Sequence, residues 1–172
     1  MAPIRQGACL ADRMEVVVEP RPPDASTAER LLRLLPDWFG IESSLQEYVD
    51  DARHLPTYLA SVDGQPPVGI LLLRRHFDEA AEVHLMAVHP QWHRRGIGRR
   101  LLATAERDLA ADGVRLLQVK TLGASRPDAS YARTRLFYLG MGFQPLEETK
   151  DLWPDNPCLI MVKPLGERTS SP

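Results

Sequence analysis

His93-Arg94-Arg95-Gly96-Ile97-Gly98-Arg99-Arg100 decides how this chain is read. It follows Glu82-Val83-His84-Leu85-Met86-Ala87-Val88, an apolar run that reads as a strand, and it opens a helical pattern over Leu101 to Asp112. Ile97, Leu101, Ala105 and Leu109 recur every four residues; with Leu102 they define one buried face, and Gly113 stands where a C-cap is expected. Backbone N–H groups at a helix start have no intrahelical partner, and the macrodipole adds about half a positive charge there. Glycines let an anion approach the main chain, and Arg94, Arg95, Arg99 and Arg100 add charge around it. The stretch suits a phosphate. It is not a P-loop, because no Lys-Ser or Lys-Thr follows. Nor is it a dinucleotide fingerprint, because position 101 is Leu where a third Gly is required.

Composition narrows the class of ligand. The 172 residues suffice for a single domain with a real core. Net charge is -2, with 44% hydrophobic and 26% charged residues, so the arginines form a local basic spot on a mildly acidic protein. That favours a small anion over a long duplex, and Asp108 and Asp112 farther along the helix argue against a nucleic-acid face. Cys9 and Cys158 have no metal spacing and are too few to staple a secreted fold. Cys158 precedes an apolar strand and reads as a buried, inert thiol. No apolar run reaches membrane-spanning length, no signal core is visible at the N-terminus, and the cytoplasm is the expected location.

Around the central stretch, the chain alternates strand and helix signals. Residues 1–13 are expected to be a loose tail, 14–165 a single domain, and 166–172 a disordered tail. Met14 to Glu19 reads as a strand. Ser26-Thr27-Ala28-Glu29 has the capping-box pattern of a helix start, Pro36 ends that helix, and Asp37-Trp38-Phe39-Gly40 is expected as a break before a second helix. Thr57–Val62 and Val68–Arg74 flank the Asp63-Gly64 turn as a hairpin. Val114 to Val119 reads as a strand parallel to and beside the one ending at Val88, since strand–helix–strand order makes a βαβ unit. Thr121 to Ser130 reads as a long loop over the site, with Arg126 and Asp128 on it read as solvated before substrate-contacting. Tyr131 to Met141 reads as a helix, and two strands close the chain, offering an edge for a homodimer.

His93-x-x-Gly96-x-Gly98, with the Val88-His89-Pro90 turn before it and the apolar helix after it, resembles the acetyl-CoA signature of the GCN5-related N-acetyltransferases (GNAT), [QR]-x-x-G-x-[GA]; His93 departs from its Gln or Arg. Phe137-Tyr138-Leu139-Gly140-Met141-Gly142-Phe143 resembles the F-Y-x-x-x-G-F ending of the same family. The resemblance implies an α/β fold with a mixed, centrally splayed sheet and helices on both faces, in the order β-α-α-β-β-β-α-β-α-β-β. It implies acetyl-CoA as co-substrate and no metal. His93, Arg94, Arg95, Gly96, Ile97, Gly98, Arg99 and Arg100 would then hold the pyrophosphate, and the backbone of Met86, Ala87 and Val88 would pair with the pantetheine amides. Tyr138 is the implied acid at the departing sulfur.

An amine acceptor must lose a proton, and two residues are candidates for taking it. Ala81-Glu82-Val83 followed by Ala87-Val88 resembles the strand of the histone acetyltransferase subgroup, whose glutamate acts through water. His84 lies two residues on, shares that face in a regular strand, and has an unperturbed pKa of about 6.5. Trp38, Phe39, Tyr131 and Trp153 are the candidate acceptor-pocket residues, with Tyr48 near them. The expected activity is acetyl transfer from acetyl-CoA to an amine of a small molecule or peptide. The rival is a non-catalytic acyl-CoA sensor, and Tyr138 together with Glu82 argues against it.

Overall fold

The computed structural model describes residues 14–153 and 155–166. The expected N-terminal tail, and all of the C-terminal one except Gly166, lie outside the described residues, as does Pro154. A seven-stranded mixed sheet runs in the order β1-β2-β3-β4-β5-β7-β6. Its strands are β1 (Val16–Arg21), β2 (Thr57–Val62), β3 (Gly69–Phe77), β4 (Ala80–Val88), β5 (Leu116–Leu122), β6 (Gln144–Thr149) and β7 (Cys158–Pro164). The helices are α1 (Ala25–Leu32), α2 (Pro36–Phe39), α3 (Glu42–Asp51), α4 (Ile97–Ala111) and α5 (Ala129–Gly140). No described helix is long and apolar enough to cross a membrane.

Two clusters of buried side chains sandwich the sheet. Ile97, Leu101, Leu102, Ala105 and Leu109 of α4 pack with Ala81, Val83, Leu117 and Val119, as the four-residue spacing predicts. Leu31 and Leu32 of α1 and Leu45 and Val49 of α3 pack with Ile70, Leu72, Leu85 and Ala87. The outer strand β6 is one edge of the sheet, opposite β1, and Pro145, Glu147 and Glu148 on it discourage further pairing.

Four local readings need correction. The cap of α1 is Asp24, whose carboxylate accepts from Thr27 N at 2.9 Å; Ser26 already lies inside the helix. Asp37 to Phe39 is not a break but part of the one-turn helix α2, because Pro36 suits a first helical position. The strand expected from Val114 starts at Leu116 and runs on to Leu122. The loop after it is correspondingly short, because α5 starts at Ala129 with Asp128 as its cap, accepting from Tyr131 N at 2.9 Å. Asp128 is thus engaged by the helix it starts.

Among the described residues β4 and β5 are the one parallel pair, and they pair from Ala80↔Leu116 to Val83↔Val119. Beyond that point β5 stays with β7 through Leu122, while β4 stays with β3 through Val88, so the sheet opens between them. A bulge supplies the bend. Leu72 is opposite Leu85 and Leu73 is opposite Val83, which leaves His84 as the extra residue.

Candidate active site

A cavity of about 770 Å³ lies in this opening. Its lining joins Met86, Ala87 and Val88 of β4 to the start of α4 (Arg94, Gly96, Ile97, Gly98, Arg99). His84, Lys120 and Tyr138 also line it, as do Trp38, Phe39, Tyr48, Tyr131 and Trp153.

The α4 end is prepared for an anion. No side chain caps this 15-residue helix, and the first amide to bond back within it is Arg100 N, to Gly96 O at 3.0 Å. The N–H groups of Ile97, Gly98 and Arg99 therefore have no helical partner. Gly96 caps the helix at φ 81°, in the left-handed region, and Arg94 also has positive φ at 61°. Nothing lies within 4 Å of a Cβ built on Gly96, so Gly96→Ala meets only the backbone cost. We expect it to lower unfolding free energy by about 1–2 kcal/mol in denaturant titration.

Not every residue of the stretch faces the cavity. Arg95 stacks on Trp92, its guanidinium carbon 4.9 Å from the ring centroid, and Arg100 donates to Val16 O at 3.3 Å. His93 does line the cavity, but its ring Nε2 is 2.7 Å from Val88 O, and its edge meets Trp38. His93 thus ties the turn before α4 to the end of β4, and its place in the signature has a structural use.

The splayed edge of β4 is the second preformed feature. His89 N donates to Val68 O on the β3 side at 2.8 Å. Successive residues of a strand alternate, so Ala87 and Leu85 also turn their amides to β3, whereas Met86 and Val88 turn theirs into the opening. An amide chain laid there would extend the sheet.

The candidate catalytic groups differ sharply in surroundings. Tyr138 is 5% exposed and packs edge-on against Phe137 and Phe143 at 5.2 and 5.3 Å between centroids. Burial, with a smaller push from Tyr48, drives its hydroxyl pKa far above the usual tyrosine value, so it holds its proton. His84 Nε2 is 2.7 Å from Asp51 Oδ2, and the same oxygen accepts from Arg74 Nη2 at 2.8 Å. Burial and the Arg74 charge lower the His84 pKa below its ordinary value, more than Asp51 raises it. The neutral ring donates Nε2–H to Asp51, which leaves Nδ1 as the basic atom.

Glu82 is 4% exposed and is not part of the cavity wall. It accepts from Lys120 Nζ at 3.0 and 3.2 Å and from Gln118 Nε2 at 3.1 Å, and lies 2.6 Å from His76 Nε2. Burial pushes its carboxyl up, but the donors, Lys120 foremost, outweigh that and hold it below the usual carboxylate range. The four aromatic candidates all line the cavity, and two are tied together. Trp38 Nε1 donates to Thr134 Oγ1 at 3.0 Å, and Tyr131 Oη donates to Trp38 O at 2.8 Å.

Asp51, Arg74, His76 and Lys120 escaped the sequence reading. Asp51 had one signal: Asp50-Asp51 ends α3, where the helix dipole disfavours negative charge, so an acid there requires a partner elsewhere. Among the described residues, no group of three or more His, Cys, Asp or Glu could hold a metal. Cys158 is buried, as expected.

A sheet opened beside an uncapped helix start is a cleft for a phosphate-bearing ligand with an amide arm. Residues 53–145 match the acetyltransferase (GNAT) domain family, and the chain belongs to that family. As a member it is an N-acetyltransferase whose co-substrate is acetyl-CoA. Solved structures share the fold. A GNAT-family protein from Desulfovibrio desulfuricans has 24% identity and a TM-score of 0.73, over 88% of this chain and 100% of that one. The ribosomal-protein-S18-alanine N-acetyltransferase of Escherichia coli has 18% identity and a TM-score of 0.66, over 88% and 98%. A GNAT acetyltransferase from Elizabethkingia anophelis with acetyl-CoA bound has 16% identity and a TM-score of 0.65, over 87% and 97%. Among curated proteins, none matches the sequence.

Proposed function

We propose that the protein moves the acetyl group of acetyl-CoA directly to a primary amine, with Tyr138 as the acid at sulfur and His84 as the acceptor of the amine proton. The observation that carries this reading is one cavity lined at once by the free edge of β4, the uncapped start of α4, His84 and Tyr138. The residues present fit the co-substrate. The N–H groups of Ile97, Gly98 and Arg99 would meet the pyrophosphate, and Met86 and Val88 would meet the pantetheine amides. When bound, acetyl-CoA supplies an activated acyl group and a thiolate leaving group with a pKa of about 8.5, as judged from Cys.

The chain supplies the proton transfers. The amine nitrogen bonds to the acetyl carbon, the carbon–sulfur bond breaks, Tyr138 gives its proton to sulfur, and His84 Nδ1 takes the proton leaving nitrogen. A lysine-like amine has a pKa of about 10.4, so reaching its free form at pH 7 costs about 4–5 kcal/mol. A neutral imidazole beside the nitrogen and the dry wall of the cavity both lower that cost. Glu82 is already bound by Lys120, His76 and Gln118, so its part is to fix Lys120 and the closed end of the opening.

The test is thiol release from acetyl-CoA with a panel of amines, coupled to calorimetry for acetyl-CoA binding. Amine-dependent release supports transfer; tight binding with no release on any amine favours the sensor reading. The pH profile is a second check. His84 must be neutral to act, and its pKa is lowered, so the acidic limb of kcat/KM has its midpoint below pH 6.5. Asp51 opposes that lowering. Asp51→Asn is therefore expected to move the limb to still lower pH and to reduce kcat/KM about 10-fold through loss of ring orientation. A limb that stays in place would remove Asp51 from the account.

A further inference from the structure

We infer that the acceptor is a free α-amino acid with a large apolar or aromatic side chain, its carboxylate held by Lys120 while its amine faces His84. This deepens the transfer reading and rests on it.

Three observations converge. The first is charge. Among the described residues lining the cavity there is no Asp or Glu, while Lys120 and Arg133 are there, apart from Arg94 and Arg99 at the co-substrate end. The two acids nearest the chemistry are already engaged, Glu82 by Lys120, Gln118 and His76, and Asp51 by Arg74 and His84. A polyamine or an aminoglycoside carries several cations and would find no carboxylate on this wall to meet them. An acceptor bearing an anion meets complementary charge instead.

The second observation is position. Val83↔Val119 is the last pair of the parallel ladder, so His84 and Lys120 are the first residues past it, one on each side of the opening. Both line the cavity. Lys120 Nζ gives two of its three N–H donors to Glu82 Oε1 and Oε2, at 3.2 and 3.0 Å, and retains one. A base on one strand and an ammonium on the other, each one residue past the ladder, suit a molecule whose amine and carboxylate are separated by a single carbon.

The third is shape. The wall beyond His84 is Leu35, Trp38, Phe39, Tyr48, Tyr131 and Trp153, and Trp38 and Tyr131 are fixed by hydrogen bonds rather than free to swing. Such a wall takes a flat or bulky apolar side chain. In the transfer, the α-nitrogen bonds to the acetyl carbon, its proton passes to His84, and coenzyme A leaves as the thiol after protonation by Tyr138.

The experiment uses the full chain with acetyl-CoA and follows thiol release. The acceptors are L-phenylalanine, L-tryptophan and L-methionine; phenylalanine amide and phenethylamine, which lack the carboxylate; a phenylalanine-led tripeptide; spermidine; and an aminoglycoside. Expected is a kcat/KM for L-phenylalanine about 10-fold or more above that for its amide and for phenethylamine, the loss that follows one missing charge-assisted hydrogen bond. The double variant Lys120→Gln with Glu82→Gln, which avoids an unpaired buried carboxylate, should bring that ratio close to unity. Equal or better use of the amide, a preference for the tripeptide, spermidine or the aminoglycoside, or an unchanged ratio in the double variant would overturn the assignment. So would inertness toward all three amino acids with acetyl-CoA binding intact. In that case, release with any of the other amines would leave acetyl transfer standing while the amino-acid assignment falls, and failure to bind acetyl-CoA would sink the transfer reading itself.

Discussion

His84→Gln is expected to lower kcat/KM for acetyl transfer by about 10²- to 10³-fold. The substitution keeps an N–H that can reach Asp51, so the bulged strand and the Arg74–Asp51 ion pair have reason to persist. What disappears is the basic ring nitrogen, the cavity-lining group that the proposal makes the acceptor of the amine proton. The acidic limb of the pH profile should vanish with the activity. Acetyl-CoA affinity should change little, because β4 and α4 present their amides as before. Stopped-flow or steady-state thiol release, with calorimetry on the same preparation, separates these effects. A variant of near wild-type rate with an unmoved limb would return the proton to another group, and Glu82→Gln would then be the next measurement.

Tyr138→Phe is the second large effect, about 10²-fold or more on kcat. Burial opposes the charged form and raises the Tyr138 hydroxyl pKa well above the usual tyrosine value, so the proton is held near neutrality. No hydrogen bond to its hydroxyl occurs among the described residues, so the loss of that group leaves no protein partner unsatisfied. Phe fills the same space against Phe137 and Phe143. The melting temperature should therefore stay close to wild type while turnover falls. A parallel loss of stability and activity would mark Tyr138 as a packing residue; an unchanged rate would remove it from the chemistry.

The order of strands and helices was legible because it rests on local signals. The four-residue spacing from Ile97 to Leu109 marked α4, Gly96 marked its start, and Phe137 to Phe143 marked the end of α5. These features require only neighbours in sequence. Helix boundaries were less secure. Ser26 looked like a cap, yet Asp24 takes the role, because either residue satisfies the same orphan amides and packing chooses between them.

The site itself was half legible. Its cofactor side follows from main-chain geometry at one glycine-marked turn, whereas its acid–base side depends on which side chains meet across elements. Asp51 reaches His84 over a separation of 33 positions, and Lys120 reaches Glu82 over 38. The bulge at His84 is likewise invisible in a run of alternating residues, since one extra residue leaves no trace in composition. That bulge matters doubly. It opens the sheet after Val83, and it leaves His84 among Tyr48, Asp51 and Arg74 while Glu82 remains closed off by its three donors.

Amide hydrogen exchange with and without saturating acetyl-CoA tests the central claim most directly. The two-sided cleft predicts slowed exchange at Met86 and Val88, whose amides face the opening, and at Ile97, Gly98 and Arg99 at the head of α4, with little change at Ala87, which already bonds to β3. Slowing confined to other parts of the chain, or none at Met86 and Val88 in protein saturated with the ligand, would contradict it.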